Sequence, residues 1–589
     1  MCGICGIINT KFNNRFPEQV DKMVTGLQHR GPDSNGSWMS ENQQVLFGHT
    51  RLSIIDLDQR SAQPFLSRDK RFSVTYNGEI YNYLELKEEC IKNGSRFITE
   101  SDTEVLIECY RHWGVDCFPK FKGMWAAVIY DTYNQQICIS RDFFGIKPLF
   151  YAIQDGAIYF ASELKAFRAL GGVFAEEDTV TTKLFLDHAI LDRGNWTFYK
   201  HVKRFPHVSY SIIDLTKAIT ELKFNVYWNP FEKSYKESLR TEKEAIATFR
   251  DLFINSVKLH CRSDVEVGSC LSGGLDSSSV VAIATRFNSK FSTFTTRFPE
   301  FPDIDESKPA KLISDKYHTT QYYTDPTHKD FKNEFDHILA CQDEPYGSTS
   351  IFSQYMVFKR ISEEGVKVIL DGQGSDEALG GYISLSGIAM KTHFERGNYF
   401  QWLTESIQFS RNHNINYFKG FSSRILRKLL RRDAAIPSLS YDRLVGFKDY
   451  ESYEERLHQL VSPSDKNIDE YLLYLVFDGN LQQLLRYEDR NSMNFSIESR
   501  VPFLEPDLVS FICQTPFQYK FKDGFTKSIL RKAFKDELPA SIIWQKNKLG
   551  FASPEQNILK KVFNIDTNSN GSLAWRELIV KKWKEKYVG

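Results

Sequence analysis

The sequence predicts an α/β protein whose second half is a parallel sheet with helices on both faces. A short apolar strand, Val267 through Leu271, runs through Ser272-Gly273-Gly274 directly into a helix from Leu275 to Arg286. Strand and helix patterns then alternate: Phe291–Phe298, Glu306–His318, Thr320–Tyr323, Ile351–Glu363 and the strongly apolar Val366–Leu370. Such alternation with right-handed crossovers builds a covered parallel sheet, and ligands sit beyond the carboxyl ends of its strands. At 589 residues the chain has length for two or three domains, each with its own core.

Composition narrows the function classes. The 75 basic and 75 acidic residues cancel, so no global field favours nucleic acid or a membrane surface. No apolar run is long enough to span a bilayer, and the N-terminus lacks the basic and apolar regions of a secretory signal. Ten cysteines without framework spacing fit reduced thiols in a cytoplasm.

The chain begins Met1-Cys2-Gly3-Ile4-Cys5. Cys2 and Cys5 form a CxxC, but no second CxxC or His pair lies nearby to complete a zinc site. Removal of Met1 would leave Cys2 terminal, with its own α-amine as the thiol's base and Gly3 keeping the sulfur accessible. A small buried cysteine on an edge strand is the bland alternative, and these residues do not choose between them. Phe224–Trp228 alternates as a strand, Lys233–Arg240 is a polar linker, and Glu242–His260 has helical periodicity.

The turn after Val267–Leu271 carries chemistry. Its adjacent glycines let backbone approach a ligand, and the helix start offers free N–H groups flanked by Ser272, Ser277 and Ser278. That is a phosphate cradle, though not a Walker loop, because no Lys-Ser/Thr follows. Asp276 beside phosphates implies an intervening Mg²⁺, and Asp376, in the loop Asp371-Gly372-Gln373-Gly374-Ser375-Asp376-Glu377, supplies a second acid. Without a ligand, the same turn is only a tight strand-to-helix connection.

Five motifs come in order: MCGICGI, His29-Arg30-Gly31-Pro32-Asp33, His49 to Asp56 (HTRLSIID), Tyr76 to Asn82 (YNGEIYN) and Ser101-Asp102-Thr103-Glu104. Together with Arg141 to Leu149 (RDFFGIKPL) and Ala161 to Lys165 (ASELK), they resemble the class II glutamine amidotransferase domain over about residues 2–190. That resemblance implies a four-layer αββα sandwich of the N-terminal nucleophile hydrolases. It implies that Cys2 attacks the glutamine amide while Asn77 and Gly78 hold the oxyanion. One such donor is worth roughly 3–4 kcal/mol. Arg51 would clamp the substrate carboxylate, and Glu79 and Asp102 would accept from its ammonium.

In the second half, SGGLDSS looks like the loop of enzymes that cleave ATP to AMP and pyrophosphate. With DGQGSDE, Leu485 to Met493 (LRYEDRNSM), Ile497 to Leu504 (IESRVPFL), Lys527-Ser528-Ile529-Leu530-Arg531 and Trp544 to Phe551 (WQKNKLGF), it resembles the synthetase domain of glutamine-dependent asparagine synthetases, over about residues 245–555. The resemblance implies ATP contacts at Leu271, Ser272, Gly273, Gly274, Asp276, Ser277, Thr296, Asp371 and Gly372, and Mg²⁺ at Asp276 and Asp376. It implies that Lys548 stabilises charge on phosphorus, with Gln373 and Lys527 handling the acceptor. Many of these synthetases carry Glu at the Gln373 position, and an amide cannot take a proton, which leaves the acceptor open.

The expected domains are residues 2–200 (glutaminase), 201–244 (connector), 245–560 (synthetase) and 561–589 (helical tail). The expected function is an ATP-cleaving, amide-forming ligase with ATP and Mg²⁺, using glutamine and a carboxylate, with aspartate the leading acceptor. A uronic acid of a surface polysaccharide is the alternative in chemistry. A glutaminase with an inactive second domain, or a scaffold carrying two relic sites, is the alternative in class. A homodimer is one assembly compatible with this reading. Two stretches remain apart: Arg424, Arg427, Lys428, Arg431 and Arg432, interleaved with leucines as an amphipathic helix, and Asp566 to Glu577, which fits an EF-hand loop without a partner loop.

Overall fold

The computed structural model describes residues 2–10, 13–415, 417, 441–445, 452–459, 466–546, 553–565 and 571–588. Lys548 with its KLGF motif, the basic stretch Arg424–Arg432 and positions 566–570 of the EF-hand pattern lie outside them.

The first unit is two antiparallel six-stranded sheets packed face to face. The first sheet joins β1 (Gly3–Asn9), β2 (Ser34–Met39), β3 (Val45–Arg51), β8 (Phe150–Gln154), β9 (Ala157–Ala161) and β10 (Lys203–Arg204). The second joins β4 (Phe65–Leu66), β5 (Phe72–Ile80), β6 (Gly123–Asp131), β7 (Gln136–Arg141), β11 (Ser209–Asp214) and β12 (Asn225–Val226). Alternation lets each strand feed two layers. Ile4 and Ile8 of β1 meet Val128 and Ile139 of the other sheet in the central core, while Cys5 and Ile7 turn outward against α1 (Phe16–Gly26). Two helices, α2 (Tyr83–Lys92) and α3 (Asp102–Trp113), cover the second sheet, completing the αββα sandwich. Within residues 201–244, β10, β11 and β12 pair at the edges of both sheets.

A capped helix opens the second unit. In α4 (Glu242–His260), the Thr241 hydroxyl accepts from the Glu244 N–H and the Glu244 carboxylate accepts from the Thr241 N–H. The sheet that follows has five parallel strands: β13 (Val267–Cys270), β14 (Ser292–Thr296), β15 (Thr320–Thr324), β16 (Val368–Leu370) and β17 (Glu498–Arg500). Their order is β15-β14-β13-β16-β17, so the winding direction reverses between β13 and β16. Loops leaving two such strands diverge and open a crevice at their carboxyl ends. On one face lie α5 (Leu275–Ala284) and α6 (Ser307–Tyr317); on the other lies α7 (Ser350–Glu363), whose Phe358 and Ile361 pack on Ile369.

A last helix, α9 (Gly571–Tyr587), follows α8 (Asn480–Met493) far along the chain and fastens the two units. Trp583 packs on Phe198 and Tyr199 of the first unit, and Trp575 packs on Phe331 and Tyr346 of the second. Their indoles donate to the carbonyls of Asp343 and Tyr346 at 3.0 Å each. The helix begins at the sixth position of the EF-hand pattern, which places Glu577 inside it rather than at the end of a loop.

Candidate active sites

Strand register brings Cys2 and Arg51 together. Gly3 stands opposite Thr50 in the β1–β3 pair, so Cys2 lies across from Arg51. Cys2 is 8% exposed; its N–H donates to Asn77 Oδ1 at 3.0 Å, and its carbonyl accepts from Arg30 Nε at 3.0 Å. Burial pushes its thiol up, while the amino-terminal charge, the Leu52 backbone and Arg51 pull it back. The Asn77 Nδ2 is buried and has no partner among the described residues, so it is a donor available to an oxyanion. A Cβ at Gly78 would lie 2.2 Å from the Met124 carbonyl, so β6 admits only glycine there. Gly3 leaves no room for a side chain: a Cβ would meet Thr50 Oγ1 at 2.5 Å and Leu27 Cβ at 2.9 Å.

Charge of both signs surrounds this site. Arg51 donates to the carbonyls of Asp58 and Asp56 at 2.8 and 2.5 Å, which orient its fork without neutralising it. Asp102, the first residue of α3, accepts from Tyr76 Oη at 2.9 Å and from the Ile80 N–H at 3.0 Å, and burial pushes its carboxyl up to about 6. Glu79 is also pushed up, by burial first and then by Asp102 and Glu498, against the pull of Arg500. An ammonium set against two such carboxyls relieves both desolvation and mutual repulsion.

The second site fills the crevice between β13 and β16, a cavity of about 960 Å³. Leu271, Ser272, Gly274, Asp276, Ser277 and Thr296 line one wall; Asp371, Gly372, Gln373, Asp376 and Lys527 line the other. Gly273 is not in the wall. It turns the backbone at φ +72°, where a Cβ would lie 2.3 Å from the Ala310 N. The Gly274 N–H donates to Ser272 Oγ at 3.2 Å, and the Ser272 and Ser277 hydroxyls meet at 3.1 Å, so the turn is wound about its own hydroxyls. The loops touch: Ser375 Oγ donates to Asp276 Oδ1 at 2.8 Å, and burial pushes Asp371 up to about 6.

Between the two acids expected to hold Mg²⁺ sits the ammonium of Lys527. It lies 2.7 and 2.6 Å from the Asp276 oxygens and 2.6 Å from Asp376 Oδ1. Its backbone takes φ +54°, and a Cβ at Gly381 would lie 1.7 Å from Asp376 Oδ1 and 2.2 Å from Lys527 Cε. The two carboxylates converge on one cationic position, and their hard oxygens are the donor type that Mg²⁺ takes. Among the described residues no third His, Cys, Asp or Glu joins them, so phosphate oxygens and water would complete the shell.

Sequence reading missed three participants. Arg30 was visible within HRGPD, but only the fold shows its Nε on the Cys2 carbonyl. Gln354 and Glu488 stand behind Gln373: Gln354 lines the cavity and donates from Nε2 to Glu488, which also accepts from Ser499 Oγ at 2.5 Å. Burial, then Asp371, pushes the Glu488 carboxyl up, while hydrogen bonds from Ser499 and Gln373 oppose this. Nothing local in the sequence sets Glu488 beside residues more than a hundred positions away.

Cys2, Asn77 and Arg51 brought together in a two-sheet unit, joined to a crevice at the carboxyl ends of a parallel sheet, are the arrangement of a glutamine amidotransferase with a synthetase unit. Comparison with known proteins agrees: residues 1–228 match the glutamine amidotransferase domain, and residues 248–568 match asparagine synthase. Glutamine-hydrolysing asparagine synthetase 1 of Bacillus subtilis (strain 168) is 31% identical over 96% of this chain and 89% of its own length. Asparagine synthetase 3 of the same organism is 29% identical over 93% of this chain and 86% of its own. Amidase chry2 of Gibberella zeae is 25% identical over 98% and 94%. The chain belongs to the glutamine-hydrolysing asparagine synthetase family, whose members use ATP as a substrate.

Proposed function

We propose that the chain makes asparagine from aspartate, glutamine and ATP, as a cytoplasmic enzyme. The observation that carries the acceptor is the likeness to asparagine synthetase 1 of Bacillus subtilis along 96% of the chain. In the first pocket the Cys2 thiol passes its proton to an adjacent amine and adds to the glutamine amide carbon. Asn77 Nδ2 and the Gly78 N–H hold the oxyanion, Arg51 the α-carboxylate, and Glu79 with Asp102 the α-ammonium. Collapse breaks the C–N bond, ammonia leaves with the proton, and water hydrolyses the thioester to glutamate.

Ammonia crosses inside the protein to the second cavity. There Leu271, Thr296, Asp371 and Gly372 hold the adenosine, and Ser272, Gly274 and Ser277 the triphosphate, with Gly273 turning the loop behind them. The aspartate β-carboxylate attacks the α-phosphorus and pyrophosphate departs; ammonia then displaces AMP from the acyl carbon and sheds a proton. Asp276 and Asp376 would hold Mg²⁺, which when bound neutralises charge on the leaving pyrophosphate. Lys548 would stabilise charge on phosphorus, with Lys527 and Gln373 at the acceptor. With its amide turned toward Glu488, Gln373 presents a carbonyl oxygen that accepts from ammonia without taking its proton.

The test supplies ATP, Mg²⁺ and ammonia with a panel of carboxylates that includes aspartate and a uronic acid. Aspartate should stimulate pyrophosphate release and yield asparagine, and Gln373→Glu should keep that stimulation. Stimulation by the uronic acid alone would overturn the acceptor. Cys2→Ala should lose glutamine-driven synthesis yet keep the ammonia-driven reaction.

A further inference from the structure

The seam between the two units holds buried charges that neither pocket uses for binding. Arg30, Lys165 and Glu163 come from the first unit; Asp343, Asp489 and Arg490 come from the second. Arg30 is fully buried at their centre. Its Nη1 and Nη2 fork onto Asp489 at 2.8 and 3.0 Å, and Nη1 also reaches Glu163 Oε1 at 2.5 Å. Its Nε turns the other way and donates to the Cys2 carbonyl at 3.0 Å. One rigid guanidinium therefore ties the first peptide of β1 to α8 of the other unit.

Cys2 stands at the head of its strand, where its N–H on Asn77 and its carbonyl on Arg30 are the two bonds that hold its backbone. Glu163 cannot orient Arg30 alone, because it is shared with Lys165 at 2.7 Å, His29 at 3.0 Å and Arg490 at 3.3 Å. Asp489 supplies the two-pronged partner, and a planar fork on a carboxylate has one geometry. Its Oδ2 accepts in addition from Arg490 Nη1 at 3.3 Å.

We propose that Asp489, a residue of the synthetase unit, is a positioning residue for glutamine hydrolysis: it locks Arg30, which holds the Cys2 carbonyl and so aims the sulfur. It touches neither glutamine nor ATP. This rests on the reading of Cys2 as the nucleophile.

Asp489→Asn keeps the shape but loses the charge and one acceptor. A sulfur displaced by about 1 Å costs roughly 100-fold, so kcat for glutamine hydrolysis should fall by about 10- to 100-fold. KM for glutamine should move less than about twofold, because Arg51, Glu79 and Asp102 are untouched. Ammonia-driven pyrophosphate release should keep its rate, and Asp489→Glu should recover most of the loss. Wild-type kcat in Asp489→Asn, or equal loss of both activities, overturns the proposal. If that variant does not fold, Arg30→Lys carries the test, since it keeps the charge but puts a methylene where Nε donates to Cys2 and cannot fork onto Asp489 at the same time: the same kcat-only loss supports the proposal, and wild-type kcat overturns it. Glutamine hydrolysis surviving in Cys2→Ala would sink the nucleophile reading instead. A dead Cys2→Ala beside an unimpaired Asp489→Asn would sink this inference alone.

Discussion

At Asp276 and Asp376 the chain sets two carboxylates around one cation, and in this structure the cation is Lys527. Each acid contributes an anionic oxygen to whatever charge bridges the phosphates. Asp276→Asn and Asp376→Asn should each slow Mg²⁺-dependent pyrophosphate release by at least about 100-fold, the scale of one lost electrostatic contact at a reacting centre. Glutamine hydrolysis, on the other sheets, should be spared; normal pyrophosphate release in both variants would refute the shared role. Asp102 gives a second prediction. Burial raises its folded value to about 6 from an ordinary value near 3.9, so the unfolded chain ionises first and stability falls as pH rises between those values. Only the ionised carboxyl attracts an ammonium. The KM for glutamine should therefore climb as pH drops below about 6, approaching tenfold per unit, while pyrophosphate release at constant free ammonia stays flat. A level glutamine KM down to pH 5 would remove Asp102 from the ammonium site.

At the scale of elements, α9 replaces a candidate metal loop with a structural clamp. Its first turn occupies positions that an EF-hand needs for backbone and side-chain ligation, and Glu577 projects from helix rather than closing a loop. Calorimetric titration should detect no micromolar calcium binding, and Glu577→Gln should change nothing. The indoles are another matter. Trp583 is fully buried against Phe198 and Tyr199 with its N–H satisfied, so Trp583→Ala should cost about 3–5 kcal/mol. Denaturant titration measures that loss, and a shift under 1 kcal/mol would show that the helix is not a clamp.

Across the whole molecule, charged contacts join the two units that carry the sites. Arg500 of β17 bonds Glu498 and the carbonyls of His260 and Arg262, and stands 4.0 Å from Glu79 in the glutamine pocket. Lys367, just ahead of β16, reaches Asp33 at 3.1 Å, and Lys122 of the first unit pairs with Asp507 at 2.7 Å. The two lysine pairs are part-exposed, but splitting the chain would also part Glu79 from Arg500 and Arg30 from Asp489, all buried, and an uncompensated buried charge is strongly destabilising. Heat inactivation should therefore remove glutamine hydrolysis and pyrophosphate release at one temperature; two transitions more than about 5 °C apart would show independent units.

Local pattern made much of this protein legible. The period of β13, the Ser-Gly-Gly turn and α5 follow from short-range sterics and hydrogen bonding, and the capped helix Glu242–His260 falls where its periodicity predicts. The resemblance carried by motif order implied roles for Cys2 and Asn77, and acids beside a serine-flanked double glycine pointed to Asp276 and Asp376. Tertiary structure decided the rest. The strand at Asn225–Val226 falls inside the alternating stretch Phe224–Trp228, but the two-residue edge at Lys203–Arg204 has no pattern of its own, because its pairing partners, not its composition, make it a strand. The packing constraint at Gly3 left no trace in the sequence because the atoms that exclude a side chain belong to Thr50 and Leu27. Lys527 between two acids, Glu488 behind Gln373 and Asp489 on Arg30 join residues far apart in sequence, and buried charge pairs leave no periodic trace. Only when the chain removes those groups from water does each charge need a partner of fixed geometry, and the fold alone determines which partner is within reach.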